Sequence, residues 1–485
     1  MNAARASSVS SAGLWSALDL GTRSIVQFIT SVVLARFLSP ADFGIYAIML
    51  IFTSVSLVLI DGGFTSAIIQ KKDISREEQT AVFWYNTLAS LVIALAIFLL
   101  APLIASGFGY PVLRPILMTI ALVVPIMAIG TLPSAMLQKG LRFDLVARAG
   151  LLATVSSGVV AVVAVMNGAG VWTFVLQTLT MALVNTTILW MLAGWRPLLR
   201  PHFRSAKQLA SFGSLVALSG LLEVAYAHGS SLVIGKLHGA SDLGFYNRAQ
   251  SLQVLPANIL TAIVTRVALP VFSTKTHDHD ALGHGVRMAQ GVVMLINLPL
   301  MLALATMPDL IITVMYGPKW LAAVPVLAIL ALGGVLFPLH AINLQLMLAQ
   351  GRSDLYFKVE VAKKVVGIAF VAIGSIYGIV GLALGQTIFS YIAFFINAGV
   401  AGGMIGYGPV KQLRDLAGSF ALAAAMAILL MVTRPFLHFA DVINLMILTV
   451  LGGTFFFGAA IVLNVGSARD IVAMTPLRRL LHRTG

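Results

Sequence analysis

Ser16, Asp19, Arg23, Gln27 and Thr30 are three or four residues apart along one apolar run, so they share one helix face. A charge at mid-bilayer costs on the order of 2.5–3.5 kcal/mol on insertion scales, so such a face must look onto water, substrate or a partner. Arg23 is an anion-binding candidate, and Gln27, one turn on, extends the polar stripe. Asp19, four residues before Arg23, either neutralises it as an i,i+4 pair or serves beside it as a coupling group.

A second stripe, Ser219, Glu223, Tyr226 and Ser230, lies 200 residues later. That offset pairs Glu223 with Arg23, so two equivalent helices carry opposite charges. Two readings of Glu223 stay open. It is a gating or coupling group that takes a cation or proton in one state and meets a basic group in another, or it is half of a fixed interhelical ion pair. Arg248, near the start of the following run, is the second anion-binding candidate, with Asn258, Thr261 and Thr265 on one face beyond it. Arg266 and Lys319 lie close enough to a membrane face to snorkel. Asp61, before Gly62-Gly63-Phe64, suits a structural or a gating role equally.

Other chemistries find no support. His277, Asp278, His279, Asp280 and His284 crowd one loop, but their spacing matches no structural zinc pattern and no thiolate is near, so they read as a solvated loop and no metal is expected. There is no Walker loop, dinucleotide fingerprint or nucleophile elbow. Cysteine is absent, which excludes disulfide and thiol chemistry. No cofactor is expected; coupling to protons, sodium ions or the membrane potential stays open.

The scaffold that must hold these residues is a membrane bundle. Of 485 residues, 59% are hydrophobic and 10% charged, and mean hydropathy is +0.97. A soluble globule could not cover such a composition. Fourteen apolar runs, grouped six, six and two, have the length of a bilayer-crossing helix. The expected fold is therefore an all-α polytopic membrane protein of about 14 transmembrane helices: two six-helix lobes, residues 1–195 and 205–403, then two further helices and a cytoplasmic tail in 411–485. The first run is too long for a signal peptide and reads as a retained helix. A net charge of +14 would suggest nucleic acid in a soluble protein, but the basic residues alternate between loops and mark both termini as cytoplasmic. No nucleic-acid partner is expected.

The lobes are copies. Arg36-Phe37-Leu38-Ser39-Pro40-Ala41-Asp42-Phe43-Gly44-Ile45-Tyr46 returns, diverged, as Lys236-Leu237-His238-Gly239-Ala240-Ser241-Asp242-Leu243-Gly244-Phe245-Tyr246. Leu137-Gln138-Lys139-Gly140 with Asp144 is echoed by Leu348-Ala349-Gln350-Gly351 with Asp354, and Gln177-Thr178 by Gln386-Thr387. Paired bundles of this kind build many secondary transporters, with the site in the cleft between halves.

The first of those motifs, with Tyr246-Asn247-Arg248-Ala249 leading to Leu269-Pro270 and with Tyr316-Gly317-Pro318-Lys319-Trp320, resembles the polysaccharide transporter branch of the multidrug, oligosaccharidyl-lipid and polysaccharide flippase superfamily. The likeness is greatest to the Wzx-type, colanic-acid-exporter-like group. The resemblance implies a V-shaped central cavity, alternating access, and passage of undecaprenyl-diphosphate-linked oligosaccharide across the bacterial inner membrane for exopolysaccharide, capsule or O-antigen synthesis. It also implies that Arg23 and Arg248 approach the diphosphate, as arginines of the first and eighth helices do in the related lipid II flippases. Ile29 and Thr30 stand where those flippases carry a deeper arginine. On this reading Gln27, Tyr226 and Asn258 hydrogen-bond sugar, Asp19, Glu223 and Asp61 couple or gate, and the partners are the lipid-linked oligosaccharide, membrane lipids, and polymerase and export machinery. The chain is then no enzyme. The alternative is a cation-coupled multidrug or small-metabolite antiporter of the same superfamily, which acids and bulky aromatics rather than arginines would favour. A membrane glycosyltransferase would need a large loop with paired carboxylates, and the sequence has none.

Overall fold

The computed structural model describes residues 21–198, 203–273 and 278–465, and every regular element in them is helical. The chain divides into two compact units, Met1–Gly244 and Phe245–Gly485. Eleven helices among the described residues are long and apolar enough to cross a membrane.

The first unit holds α1 (21–37), α2 (Pro40–Asp61), α3 (Phe64–Gln70), α4 (Arg76–Phe108), α5 (Leu113–Lys139), α6 (Phe143–Met166), α7 (Trp172–Ala193) and α8 (Phe203–Leu237), and ends in the first turn of α9 (Ala240–Ser273). Along α4, Leu91, Leu95, Leu99 and Leu103 recur every four residues and stand 51–68% exposed, a stripe that only hydrocarbon can cover. Helix α8 runs antiparallel to α2, Gly220 lying on Val58 and Gly235 on Ile48.

The second run expected as one span is in fact α2 and α3. Gly62 and Gly63 both take positive φ, 50° and 74°, a conformation cheap only for glycine, and they end α2. Lys139 then caps α3 from α5, donating to the carbonyls of Ile68 at 3.1 Å and Lys71 at 2.5 Å. A cation at a helix C-terminus answers the carbonyl ends left without partners there.

The second unit holds most of α9, then α10 (His279–Thr306), α11 (Pro308–Met315), a 3-10 turn (Pro318–Ala323), α12 (Val324–Gly334), α13 (Phe337–Ala349), α14 (Ser353–Ser375), α15 (Gly378–Gly403), α16 (Pro409–Asp415), α17 (Ala417–Thr433) and α18 (Asp441–Val462). Two more short breaks interrupt apolar stretches, between α10 and α11 at Met307 and between α12 and α13 at Val335-Leu336. Proline sits in the first turn of each second piece, at Pro308 and Pro338, where its missing N–H costs no helix bond.

The duplication is legible in hydrogen bonds. Thr186 of α7 donates to the Ile126 carbonyl of α5 across Gly130 at 2.9 Å, and Thr387 of α15 donates to the Ile329 carbonyl of α12 across Gly333 at 2.9 Å. Arg142 precedes α6 and bonds Asp144 at 3.3 Å; Arg352 precedes α14 and bonds Asp354 at 2.9 Å.

Candidate functional site

Arg23 and Thr30 lie on α6. The Arg23 guanidinium rests over Gly150, where a Cβ would stand 2.6 Å from Cζ, and the Thr30 hydroxyl rests over Gly158, 2.8 Å from where its Cβ would be. Two glycines eight residues apart on α6 thus receive two polar groups seven apart on α1. Arg23 is half-buried and Thr30 buried, whereas Gln27 between them is exposed. In the described part of the stripe, Arg23 and Thr30 pack on α6 and Gln27 between them is open; Ser16 lies outside the described residues. Asp19 lies outside the described residues.

In the same unit Asp61 ends α2, and its Oδ1 accepts from the Thr65 N–H at 3.2 Å, closing the first turn of α3. Glu223 is exposed and Tyr226 half-buried on α8. In the second unit Arg248 is half-buried on α9, close enough to the buried Tyr316 hydroxyl for its charge to act there. Beside it, the Phe245 ring meets the Trp320 ring edge to face, centroids 5.9 Å apart, so the start of α9 packs on the Tyr316-Gly317-Pro318-Lys319-Trp320 segment. Asn258 is exposed nearly three turns further along α9. His277 lies outside the described residues; among those described, no three His, Cys, Asp or Glu side chains are grouped to hold a metal ion.

The repeated motif is a helix start. Ser39 caps α2, its Oγ accepting from the Asp42 N–H at 3.2 Å while Asp42 Oδ2 accepts from the Ser39 N–H at 2.9 Å, with Pro40 in the first turn. The second copy has Gly239 in place of the serine, at φ 96°, and no side chain to cap with. Tyr110, from the α4–α5 turn, supplies an acceptor to a different N–H of that first turn: its hydroxyl takes the Ala240 N–H, which Pro40 lacks in the first copy, at 2.6 Å. Lys236 donates to the Gly107 carbonyl beside it. The glycines that close both motifs bring the copies together. A Cβ on Gly44 would strike the Ala240 carbonyl, its carbon 2.5 Å away, and a Cβ on Gly244 would strike the Pro40 carbonyl, its carbon 2.7 Å away.

Sequence reasoning missed Gly150, Gly158 and the meeting of Gly44 with Ala240. The signal for the first pair was present, since Ala147, Gly150, Thr154, Gly158 and Ala161 form a small-residue stripe on α6. A hollow of about 370 Å³ beside α2 and α4, lined by Leu59, Tyr85, Leu88, Ala89, Val92 and Ile93, is apolar apart from one phenol and offers nothing to an anion. Arg23 and Arg248 carry guanidinium groups, which can bind an anion through two parallel hydrogen bonds.

Comparison with known proteins bears on the family and the fold. A family model described as "Polysaccharide biosynthesis protein" matches residues 33–325. The lipopolysaccharide biosynthesis protein WzxC of Escherichia coli (strain K12) is 29% identical over 393 residues, 79% of each chain. The teichuronic acid biosynthesis protein TuaB of Bacillus subtilis (strain 168) is 26% identical over 424 residues, 87% of this chain and 88% of that one. Among solved structures, the lipid II flippase MurJ in an inward closed conformation superposes with a TM-score of 0.77 at 14% identity, covering 95% of this chain and 99% of that one. An inward-facing multidrug resistance MATE family transporter gives 0.57 at 15% identity, covering 79% and 95%. At these identities the structures speak for the fold alone.

Proposed function

The chain belongs to the polysaccharide biosynthesis protein family, and from that premise we propose that it is a flippase for polyprenyl-diphosphate-linked oligosaccharide in the bacterial inner membrane. A lipid-linked diphosphate cannot cross hydrocarbon unaided, because its charge and sugar hydroxyls would lose their hydration. In this reading fourteen spans form two six-helix lobes, residues 1–195 and 205–403, and two further helices in 411–485, with both termini cytoplasmic. The lobes alternate access to a wet interior. Arg23 and Arg248 hold the diphosphate; Gln27, Tyr226 and Asn258 bond sugar; Asp19, Glu223 and Asp61 couple or gate.

The observation that carries this reading is the seat of Arg23. A guanidinium laid against Gly150, in a chain whose relatives carry polysaccharide biosynthesis names, is a cation fixed by its own lobe. No chemical bond need change, so the protein acts as a transporter without catalysis. An inside-negative potential favours outward movement by about 2.3 kcal/mol per negative charge per 100 mV, so voltage suffices to drive a doubly charged head group. The test is transfer of labelled undecaprenyl-diphosphate oligosaccharide across proteoliposomes holding the purified chain. Transfer above that of empty vesicles supports the proposal. A protein that moves cationic drugs against protons and leaves the labelled lipid in place overturns it.

A further inference from the structure

The stretch Pro318–Ala349 is apolar enough to cross a membrane as one span, yet its helix stops at Gly334 and starts again at Phe337. Its counterpart in the first unit does not. The echo that ends α5, Leu137-Gln138-Lys139-Gly140, returns at the end of α13 as Leu348-Ala349-Gln350-Gly351, and α5 runs unbroken for 27 residues with two prolines inside it. A break at membrane depth leaves carbonyls that water cannot reach, so each needs a partner from the protein.

Side chains supply them. The Ser390 hydroxyl of α15 donates to the Gly333 carbonyl at 2.8 Å, and Tyr391 beside it donates to that of Leu332 at 3.0 Å. Asn297 of α10, fully buried, donates from Nδ2 to the carbonyls of both Gly334, at 3.1 Å, and Val335, at 2.8 Å. Pro338 has no N–H, so the Gly334 carbonyl needs an outside donor in any helical arrangement. The Val335 carbonyl does not. Its α-helical donor would be the Leu339 N–H, which is spent on Leu336, three residues back, at 3.1 Å; the Val335 N–H likewise reaches three back, to Leu332, at 3.2 Å. Both turns at the break are thus of the tight 3-10 kind.

Shifting each of these N–H groups to the carbonyl four residues back would make α12 and α13 one helix. Leu339 would then serve Val335, Val335 would serve Ala331, and Asn297 would keep Gly334 alone. Neither main-chain donor loses a partner in the exchange, which is what lets two arrangements of one segment lie close in free energy. The broken form also carries a cost of its own, because the Asn297 Oδ1 is buried with no hydrogen-bond partner. Gly334 weights the balance toward the break. Glycine disfavours a continuous helix, and in the broken form a Cβ on it would stand 2.6 Å from Gln253 Nε2 and 2.8 Å from Met301 Sδ.

We infer that the α12–α13 junction is a two-state hinge of the second unit, broken in this structure and continuous in its other state, with the Asn297 amide holding the broken form. Asn343 of α13 is bonded to Gln412, so the hinge carries α16 with it. Its use in transport rests on the flippase reading; its existence does not. The test uses the full, cysteine-free chain in lipid nanodiscs. Leu321→Cys, exposed just before α12, and Ser353→Cys, exposed at the start of α14, each carry a nitroxide, and pulsed electron double resonance reads the distance between them. One distance, that of the broken form, should dominate in the unaltered chain. Gly334→Ala should raise the share of a second distance several-fold, since it adds helix propensity and crowds the broken form. Asn297→Leu, which removes the amide bridging Gly334 and Val335, should raise the same second distance. A distribution that Gly334→Ala leaves unchanged overturns the hinge, whatever Asn297→Leu does. A hinge that responds as described in a chain that moves no lipid-linked sugar stands, and the flippase reading falls.

Discussion

Gly44 meets the Ala240 carbonyl, and 200 residues on Gly244 meets that of Pro40, so two diverged copies of one motif touch reciprocally through their main chains. The obstruction to a side chain at either glycine is main chain, not the yielding tip of a neighbour.

Gly44→Leu or Gly244→Leu should therefore force the starts of α2 and α9 apart. The cysteine-free chain makes this measurable, because Ile48, buried against Gly235, becomes the sole thiol in Ile48→Cys. Labelling of that thiol by a membrane-impermeant maleimide should rise several-fold in either leucine variant. Equal labelling in all three proteins would mean that the contact does not hold these helix ends closed.

Arg23→Ala and Arg248→Ala should each abolish most export with the protein still in the membrane. A hydrogen bond to a charged group is worth roughly 1.5–3 kcal/mol, which is about a tenfold to hundredfold loss of binding for each. Gly150→Ala sharpens the test, since the added methyl displaces the Arg23 guanidinium without removing it. It should reproduce much of the Arg23→Ala defect, and Gly150→Ala with full export would show that the seat on α6 is not the working position.

The helix α16 is fastened by amides. Gln412, fully buried, accepts from Gln290 at 2.9 Å and from Asn343 at 3.1 Å, and donates to Asn343 Oδ1 at 3.0 Å and to the Tyr407 carbonyl at 3.0 Å. Gln412→Leu leaves those partners buried and unpaired, at about 1–3 kcal/mol for each lost group. The detergent-solubilised variant should melt several degrees lower, with α17 and α18 more open to protease. An unchanged melting temperature would deny the network its structural weight.

Glu78 lies at the start of α4, outside the membrane. Burial works to raise its pKa, but the Lys71 ammonium at 2.5 Å and the Ser75 groups outweigh it, and the carboxyl is held below its usual 4.5. A group with a depressed folded pKa stabilises the protein above its unfolded pKa and loses that contribution as pH falls through the folded one. Glu78→Gln should thus lower the melting temperature at neutral pH, and the difference from the unaltered chain should shrink on acidification below about pH 4.5. A difference that is constant with pH would assign the loss to packing.

The helical runs were legible because a bilayer demands long apolar stretches, and so was the duplication, because Asp42, Gly44 and Tyr46 return in the same order as Asp242, Gly244 and Tyr246. The breaks at Gly62, Met307 and Val335 were not, since hydropathy stays high across them and only the Gly-Gly pair and first-turn prolines mark them. Arg23 could be singled out as a charge in an apolar run, but not its bed on Gly150, which depends on how α1 and α6 pack.

The borrowed cap on α9 also orders the biogenesis of this protein. Ser39 completes its own helix start, but Ala240 depends on Tyr110, 130 residues upstream. A ribosome working from the N-terminus delivers the tyrosine to the translocon long before the helix that needs it, so the older copy of the hairpin can act as a template on which the younger one is finished.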